Sequence, residues 1–438
     1  WFVELLRRFN LLFAIFDEDR CNSIQSTEED LNPFLDSQLI LSATEFLTNH
    51  PQRAEQARAA GFDLLIVDEA HHLQWNPETP SPAYSVIEAL SKVAASLLLL
   101  TATPEQLGPE GHFARLRLLD PERFPDLSSF RQEAKEYEPL ADVVGRLSEG
   151  APLTRDDKAF ISARSERSAT LLAALDNEDS ASRKSLARDL VDCFGTGRVM
   201  FRNTRERLTG FPERKLHLVQ LDPPANDETD LLEARMDWLA AFLQEIPREK
   251  VVLICESVEL AEAIRSLLLA RIQIESAQFH EDLTLLQRDR NAAWFADPEG
   301  ARILICSEIG SEGRNFQFAH HLVLFDLPTN PELLEQRIGR LDRIGQTETV
   351  NIHVPVVKAT SDELLARWYA EGLDAFEHPL KGASTLSAAL GTELKRLQED
   401  REPETFEDFL KRTSLMKEKV SKGLSSGHDR LLELGAPS

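Results

Sequence analysis

A short apolar run that ends in two adjacent carboxylates constrains this chain more than any other feature. Leu64–Val67 shows no alternation of apolar and polar residues, which is typical of a strand buried on both faces in a parallel sheet. Asp68 and Glu69 follow directly, so we expect both carboxylates at the C-terminal tip of the strand, outside which α/β sheets bind ligands. An Asp that holds a metal ion beside a Glu that activates water suits metal-assisted phosphoryl transfer. The alternative is a strand whose terminal acids are solvated and cap the next helix.

Two later segments narrow the interpretation of this strand. A second apolar run over residues 97–100 leads into residues 101–104 (TATP), and residues 336–346 have the sequence QRIGRLDRIGQ. With residues 68–71 (DEAH), these segments resemble motifs II, III and VI of the superfamily-two helicases and translocases, in the Swi/Snf branch. Further segments are similar to the bacterial RNA polymerase-associated ATPases of that branch: residues 112–121, 201–205, 307–318 and 371–378.

The order of strand and helix patterns, together with this resemblance, predicts an α/β fold of two RecA-like lobes with parallel sheets. We assign residues 1–125 to the remainder of lobe 1 and residues 230–358 to lobe 2. We assign residues 126–229 to a helical insertion and linker, because residues 148–185 are rich in small and charged residues without strand signals and residues 223–228 have the composition of a linker. Residues 359–438 are predicted to form a helical C-terminal extension. Three aromatic residues are expected to anchor it: Trp368, Tyr369 and Phe376.

Charge and cysteine usage limit the classes of partner and compartment. The 438 residues carry a net charge of −25, from 49 basic and 74 acidic residues, so any nucleic-acid contact must be local. The cysteines have no paired spacing, which favours reduced thiols of a cytoplasmic protein: Cys21, Cys193, Cys255 and Cys306. No apolar run approaches the length of a membrane span, so we expect no membrane partner.

The resemblance implies roles for the residues of motifs II and III. Asp68 would hold Mg²⁺ through water, and Glu69 would orient and activate the attacking water. His71, Thr101 and Thr103 would couple ATP hydrolysis to movement of the lobes. His71 and His72 together lack a third ligand at the spacing of a zinc site, so we do not predict zinc there.

The motif VI segment is predicted to be a helix with two distinct faces. Asn330 is a good N-cap, Pro331 suits the first helical position, and Gly345 provides a stop. Each face would carry three residues spaced i, i+4 and i+7. The polar face would carry Gln336, Arg340 and Arg343, and the face that packs on the sheet would carry Leu334, Ile338 and Leu341. Two arginines on such a polar face fit arginine fingers directed at a phosphate. The alternative is a surface helix with ordinary charge.

Other segments are candidates for nucleotide and nucleic-acid contacts. A glycine-containing segment follows a predicted strand and corresponds in position to motif V, so we predict ATP contacts there: Gly310, Gly313, Arg314 and Asn315. Ser42, Thr44 and Ser307 are candidate nucleic-acid contacts by resemblance, although polar turn residues are the simpler interpretation of the first two. Arg202 and Arg205 lie in a basic run, residues 198–215, which is either a phosphate contact or a solvated linker.

The phosphate-binding loop of the family is the one expected motif that we do not find in this sequence. No segment fits G-x-x-x-x-G-K-[ST], and the chain begins at Trp1 within an amphipathic helix pattern. We therefore expect this chain to be a piece of a longer protein that lacks the phosphate cradle and is inactive by itself. The end at Ser438 is expected to be a second cut.

The resemblance implies an ATP-dependent translocase that uses ATP and Mg²⁺. Its expected partners are bacterial RNA polymerase, which it would recycle or remodel, and nucleic acid. DNA is the first candidate for the nucleic acid and RNA is the second. Two alternatives stay open. The chain is chiefly a binding module for polymerase or nucleic acid, or it belongs to a remodeller of another nucleoprotein complex.

Overall fold

The computed structural model divides the chain into two compact units, one within Trp1–Arg202 and one within Asn203–Ser426, which we call unit 1 and unit 2. The residues that the structure describes are 1–26, 31–101, 108–148, 150–163, 170, 172, 182–183, 185–187, 189–190, 210–223, 229–308, 316, 318–400 and 403–424.

Unit 1 combines short parallel strands with helices that begin at well-formed caps. The Asp17 side chain accepts a hydrogen bond from the Arg20 N–H to cap α2, and Ser81 caps α5 with Pro82 at its first position. The strands pair in parallel, β1 with β2 and β3 with β4. The elements are α1 (Phe2–Phe9), β1 (Ala14–Phe16), α2 (Glu18–Gln25), β2 (Ile40–Ser42), α3 (Thr44–Asn49), α4 (Pro51–Ala60), β3 (Leu64–Val67), α5 (Pro82–Ser91), β4 (Ser96–Leu99), α6 (Gly108–Leu119), α7 (Leu127–Ser148) and α8 (Arg155–Ser162).

Strand β3 corrects one expectation of the sequence. It is a parallel strand, as predicted, but only one of its faces is buried. Leu64 is 53% exposed and Ile66 is 46% exposed, and Leu98 on the paired strand β4 is also exposed. Val67 and Leu65 pack instead into the apolar core of unit 1. The prediction of burial on both faces is therefore wrong for this chain, because among the described residues a core covers one side of the β3–β4 pair only.

Unit 2 contains a six-stranded sheet in the order β5-β10-β9-β6-β8-β7, and every pairing in it is parallel. Its elements are β5 (Arg214–Leu221), α9 (Thr229–Glu245), β6 (Val251–Cys255), α10 (Val258–Arg271), β7 (Ser276–Phe279), α11 (Leu285–Ala296), β8 (Ile303–Ser307), β9 (His321–Leu324), α12 (Pro331–Ile338), β10 (Val350–Val357), α13 (Ser361–Arg367), a π-helical turn (Trp368–Gly372), α14 (Ala383–Asp400) and α15 (Pro403–Leu424).

The central strands of this sheet are buried on both faces, which the predicted second parallel sheet requires. Along β6, Val252 and Ile254 pack into one apolar core, while Val251 and Leu253 pack into another on the opposite face. The position of β5 corrects the predicted domain limits. This strand lies inside residues 126–229, which we predicted to be helical insertion and linker, yet it forms the edge of the second sheet beside β10. The second lobe therefore begins at least as early as β5, before residue 230.

The C-terminal extension is helical and packs on the second sheet, as predicted. Trp368, Tyr369 and Phe376 are almost completely buried in the core that also contains residues of β6 and β8. The Tyr369 hydroxyl donates to the Pro328 carbonyl at 2.6 Å, and the Trp368 indole N–H donates to the Thr413 hydroxyl at 3.3 Å. These polar contacts satisfy the buried donors of both rings.

Two expectations about the chain's environment can be examined in the described residues. Cys21, Cys255 and Cys306 are free and buried, whereas Cys193 lies outside the residues that the structure describes. Burial raises the pKa of Cys21, so its thiol stays protonated near neutral pH. Among the described residues, no helix is both long enough and apolar enough to cross a membrane.

Candidate active site

The two predicted carboxylates lie at the C-terminal end of β3, where hydrogen bonds join this strand to β4. The Leu100 N–H donates to the Val67 carbonyl at 2.8 Å, and the Ala70 N–H donates to the Leu100 carbonyl at 2.8 Å. Between these bonds, Glu69 adopts a left-handed backbone conformation with φ 48° and ψ 46°. This conformation is uncommon for a residue with a side chain, and such residues concentrate at functional sites.

Asp68 and Glu69 both present their carboxylates to solvent. One Asp68 oxygen accepts the Glu69 backbone N–H at 3.0 Å, and the other accepts the Trp1 indole N–H at 2.5 Å. The Glu69 side chain is 52% exposed. Exposed carboxylate oxygens are the ligands that Mg²⁺ takes, usually with several waters retained. The donor set at this strand tip therefore fits a magnesium ion.

His71 connects the acidic tip with the segment that follows β4. Its Nδ1 lies 3.1 Å from Oε2 of Glu69 and 3.3 Å from the hydroxyl oxygen of Thr101. Because one nitrogen faces both partners, a change in the hydrogen bonding of Glu69 alters the contact available to Thr101. The structure thus brings Glu69, His71 and Thr101 together. Thr103 lies outside the described residues.

The helix that carries motif VI begins where the sequence predicts and ends earlier. The Asn330 side chain accepts the Glu332 N–H at 3.0 Å, with Pro331 at the first helical position. The helix α12 ends at Ile338, with Gly339 as its C-cap, so the predicted stop at Gly345 is wrong. Glycine has a low helix propensity, and the Arg343 Nε donates to the Gly339 carbonyl at 3.0 Å, which satisfies a carbonyl at the helix end.

This early end separates the residues that we expected on one polar face. Gln336 lies within α12 and is exposed, whereas Arg340 lies beyond the helix and is only 9% exposed. Arg343 is partly buried and turns back toward the helix terminus. The prediction of a shared polar face is therefore wrong, because Gly339 interrupts the helical spacing. The apolar set is confirmed in the core: Leu334, Ile338 and Leu341.

Arg337 is a site residue that the sequence analysis missed. It is 1% exposed, and its Nε lies 2.9 Å and 3.1 Å from the two carboxylate oxygens of Glu308. Its Nη1 donates to the backbone carbonyl of Asp326 at 2.7 Å and to the side chain at 2.9 Å. Burial disfavours the charged guanidinium, but the bonds to Glu308 and Asp326 outweigh it and keep the pKa of Arg337 above its ordinary value.

The position of Arg337 explains both its role and why it was overlooked. Glu308 directly follows β8 and Asp326 lies just after β9, so one guanidinium ties together the C-terminal ends of the two strands that flank β6 in the sheet. Arg337 is three residues after Leu334, which places it on the apolar face of α12. An arginine on that face, with acids at two strand ends, is the signal that could have identified it.

The predicted nucleic-acid contacts have different outcomes. Ser307 is completely buried at the end of β8 and its hydroxyl donates to the Glu281 carboxylate, so its prediction as a surface contact is wrong. Ser42 ends β2 and donates to the Phe16 carbonyl at 3.1 Å, and Thr44 begins α3. The remaining predicted residues lie outside the described part of the chain: Arg202, Arg205, Gly310, Gly313, Arg314 and Asn315.

Three family models match successive parts of the chain. "Type III restriction enzyme, res subunit" matches residues 5–106, "Helicase conserved C-terminal domain" matches residues 234–345, and "RNA polymerase recycling family C-terminal" matches residues 349–437. The first match contains Asp68 and Glu69, and the second contains Arg337, Arg340 and Arg343.

Similar proteins match over the whole chain. The chain is 46% identical over 446 residues to the RNA polymerase-associated protein RapA of Haemophilus influenzae (strain PittEE), covering 100% of this chain and 47% of that protein. It is 46% identical over 471 residues to RapA of Stutzerimonas stutzeri (strain A1501), covering 100% and 49%. The chain thus spans about half the length of these curated relatives. Among solved structures, the Sulfolobus solfataricus SWI2/SNF2 ATPase core in complex with dsDNA is 19% identical, with 91% of this chain and 83% of that chain covered and a TM-score of 0.30.

Proposed function

We propose that the chain, which is 46% identical to RapA proteins and spans about half of their length, forms part of a Swi/Snf-type, ATP-driven nucleic-acid translocase. The observation that carries the proposal is the link from Glu69 through His71 to Thr101 at the tip of β3. A translocase needs its hydrolytic group to be connected with a second segment that responds to it. The protein that contains this chain would act in the cytoplasm and recycle or remodel bacterial RNA polymerase.

The acidic tip supplies the hydrolytic part of this function. Asp68 would hold Mg²⁺ through water, and the ion would neutralise charge on the phosphate oxygens of ATP. Glu69 would orient the attacking water and accept its proton. Its exposed carboxylate and its contact with the His71 ring support this role, because the contact limits the directions in which the carboxylate can point.

The motif VI arginines supply positive charge. We propose that Arg340 and Arg343 stabilise the charge that develops on the transferred phosphoryl group, with Gln336 and the residues Gly310, Gly313, Arg314 and Asn315 contributing to the nucleotide site. The contact between Arg343 and the Gly339 carbonyl supports this role, since a guanidinium held by the helix end loses less conformational freedom when it meets a phosphate.

Nucleic-acid contacts are proposed at two places. Ser42 ends β2 and Thr44 begins α3, where a hydroxyl and helix N–H groups would meet a phosphate backbone. Arg202 and Arg205 belong to the basic run that contrasts with the acidic remainder of the chain. DNA is the first candidate partner and RNA the second.

Replacement of Glu69 tests the hydrolytic proposal. In a protein that spans the full length of the relatives, Glu69→Gln should abolish ATP turnover and leave ATP binding intact, because the amide keeps the size of the side chain but cannot accept the proton. ATP binding is measured by calorimetry and turnover by phosphate release. Glu78→Gln, at an exposed position of the same unit, is the matched control. A proportional loss of nucleotide binding and turnover would contradict the role of Glu69.

A further inference from the structure

A group of three metal-ligating side chains lies at the N-terminal ends of strands in the second sheet. This end of the strands is opposite to the one that the residues of motif VI follow. Glu249, His320 and His321 each offer one ligand atom, and these atoms lie within 4.8 Å of one another. Oε2 of Glu249 and Nε2 of His320 are 3.4 Å apart. All three residues are partly exposed, so a cation can reach them from solvent. Within the described ranges, this is the only group of three such side chains.

The parallel sheet is what brings these residues together from distant parts of the sequence. Glu249 lies just before β6, and His321 is the first residue of β9. The strands β6 and β9 are neighbours in register, with Val251 opposite His321. The group therefore sits at the N-terminal ends of the strands. The residues proposed for nucleotide chemistry follow the C-terminal ends, so the two sites are separate.

The His321 ring is held by a chain of contacts with side chains of the neighbouring strands. Its Nδ1 lies 3.0 Å from Nε2 of His353 on β10. The ring of His353 stacks on that of His217 with centroids 4.7 Å apart and an interplanar angle of 14°, and Nε2 of His217 lies 2.9 Å from Oδ1 of Asn351. Histidines that bind metals almost always use their second ring nitrogen for such a contact, which fixes the ring and the tautomer. A His321 that donates from Nδ1 keeps a lone pair on Nε2 for a cation.

We propose that Glu249, His320 and His321 bind a first-row transition-metal cation, with Zn²⁺ as its best representative. Two imidazole nitrogens and one carboxylate oxygen form a borderline donor set that suits Zn²⁺, with water as the fourth ligand, and that does not suit Mg²⁺. A bound ion ties the segment before β6 to the start of β9. Its effect is to stabilise unit 2 at an edge remote from the proposed ATP chemistry.

Other histidine–carboxylate contacts in the described residues lack the third ligand. His378 lies 2.8 Å from Asp374, and His50 lies 3.9 Å from Glu18, and each is a single pair. These pairs resemble the Glu249–His320 contact in chemistry, and their histidines are more exposed than His320. They therefore provide controls that separate a built site from the weak affinity of any exposed histidine.

The test is a zinc titration of the chelator-treated protein by isothermal calorimetry, with a Co²⁺ absorption spectrum to report the geometry. The wild-type protein should bind one Zn²⁺ saturably, show a tetrahedral Co²⁺ spectrum and bind no Mg²⁺ at this site. His320→Ala and Glu249→Gln should each weaken zinc binding on the order of a hundredfold, while His378→Ala should bind like wild type. Glu249 and His320 are partly exposed, so both variants should fold, which circular dichroism checks.

A variant behind the site tests the positioning role of His353. His353→Phe keeps an aromatic ring against His217 and removes the acceptor for His321, so zinc affinity should fall about tenfold or more without loss of the fold. His353→Gln, whose amide oxygen can accept the bond, should restore part of the affinity. The proposal is overturned if the wild-type protein shows no saturable zinc binding, or if His320→Ala, Glu249→Gln and His378→Ala all bind zinc equally well.

Discussion

Both units carry acidic residues directly after parallel strands, but the two sets are held by different partners. Asp68 and Glu69 in unit 1 are exposed, and Asp68 accepts bonds from a backbone N–H and an indole. Glu308 and Asp326 in unit 2 are mostly buried and bind the guanidinium of Arg337. The same kind of residue in the same place along a strand therefore has two environments.

The difference separates a structural use of these acids from a chemical one. Buried acids that are neutralised by an arginine fix the strand ends, and removing any member leaves an uncompensated charge. Acids that remain open to solvent can take a metal ion and a water molecule without first breaking an ion pair. Under the proposed function, unit 1 supplies the groups for chemistry on ATP, whereas the acids of unit 2 hold the C-terminal ends of β8 and β9 through Arg337.

Removal of Arg337 should have the largest effect on stability. Arg337→Met should lower the free energy of unfolding by about 3–5 kcal/mol, because it leaves two largely buried carboxylates without their cation. Arg271→Met is the matched control, since Arg271 also binds two carboxylates, Glu233 and Asp237, but at the surface. That variant should lose less than about 1 kcal/mol. Urea unfolding followed by circular dichroism measures both, and equal losses would show that burial of the Arg337 network does not matter.

The motif VI arginines should affect turnover more than stability. In a protein of the relatives' full length, Arg343→Ala should lower ATP turnover by about a thousandfold if the guanidinium stabilises phosphoryl charge. Arg340→Ala should do the same, but its burial adds a loss of stability, so the folded fraction must be measured with the rate. Arg265→Ala, on α10 of the same unit, is the control. Turnover near that of wild type would remove the substituted arginine from the site.

The parts predictable from sequence are those that local pattern determines. The cap at Asn330, the strand of Val251–Cys255 and the anchors Trp368 and Tyr369 depend on residue type and period, and the structure has them in the predicted places. The end of α12 was missed because helical spacing was extended through Gly339. β5 was missed because a strand at a sheet edge gains its stability from its partner, here β10, which is far away in the sequence.

The same limit applies to the candidate sites. Asp68, Glu69 and His71 are adjacent in sequence, so their association could be read directly. Glu308, Asp326 and Arg337 come from three segments, and so do Glu249 and His353 with His321. Only the order of strands in the sheet brings such residues together, and that order is a property of the tertiary fold.

A matched pair of isoleucines tests the contrast between the two sheets. In the 438-residue chain, Ile254→Ala in β6 should cost about 3 kcal/mol of unfolding free energy, because it opens a cavity in a closed core. Ile66→Ala in β3 should cost about 1 kcal/mol or less, because this side chain is already 46% exposed. Hydrogen exchange resolves the two units. If a protein of the relatives' full length covers β3, the loss at Ile66 should approach that at Ile254 in that protein. Equal losses in the 438-residue chain would contradict the one-sided burial of β3.

The smallest expected effect, and the most specific, concerns the contact between His71 and Thr101. His71→Phe keeps a ring beside that of His72, whose centroid is 4.1 Å away, but removes the nitrogen that faces Glu69 and Thr101. Because the His71 contact also orients Glu69, basal ATP turnover should fall as well, and stimulation is therefore measured as the ratio of turnover with and without nucleic acid. Stimulation of turnover by nucleic acid should fall, since the coupling free energy carried by such a link is typically about 1–3 kcal/mol, or roughly fivefold to a hundredfold in rate. Thr101→Val, which removes only the hydroxyl, should lower stimulation in the same way. It should add little to His71→Phe, because both changes break the contact between His71 and Thr101. The exposed neighbour provides the control: His72→Phe should retain stimulation. If His71→Phe and His72→Phe are stimulated equally, the contact seen in unit 1 only holds the turn after β3 in place, and coupling must use other residues.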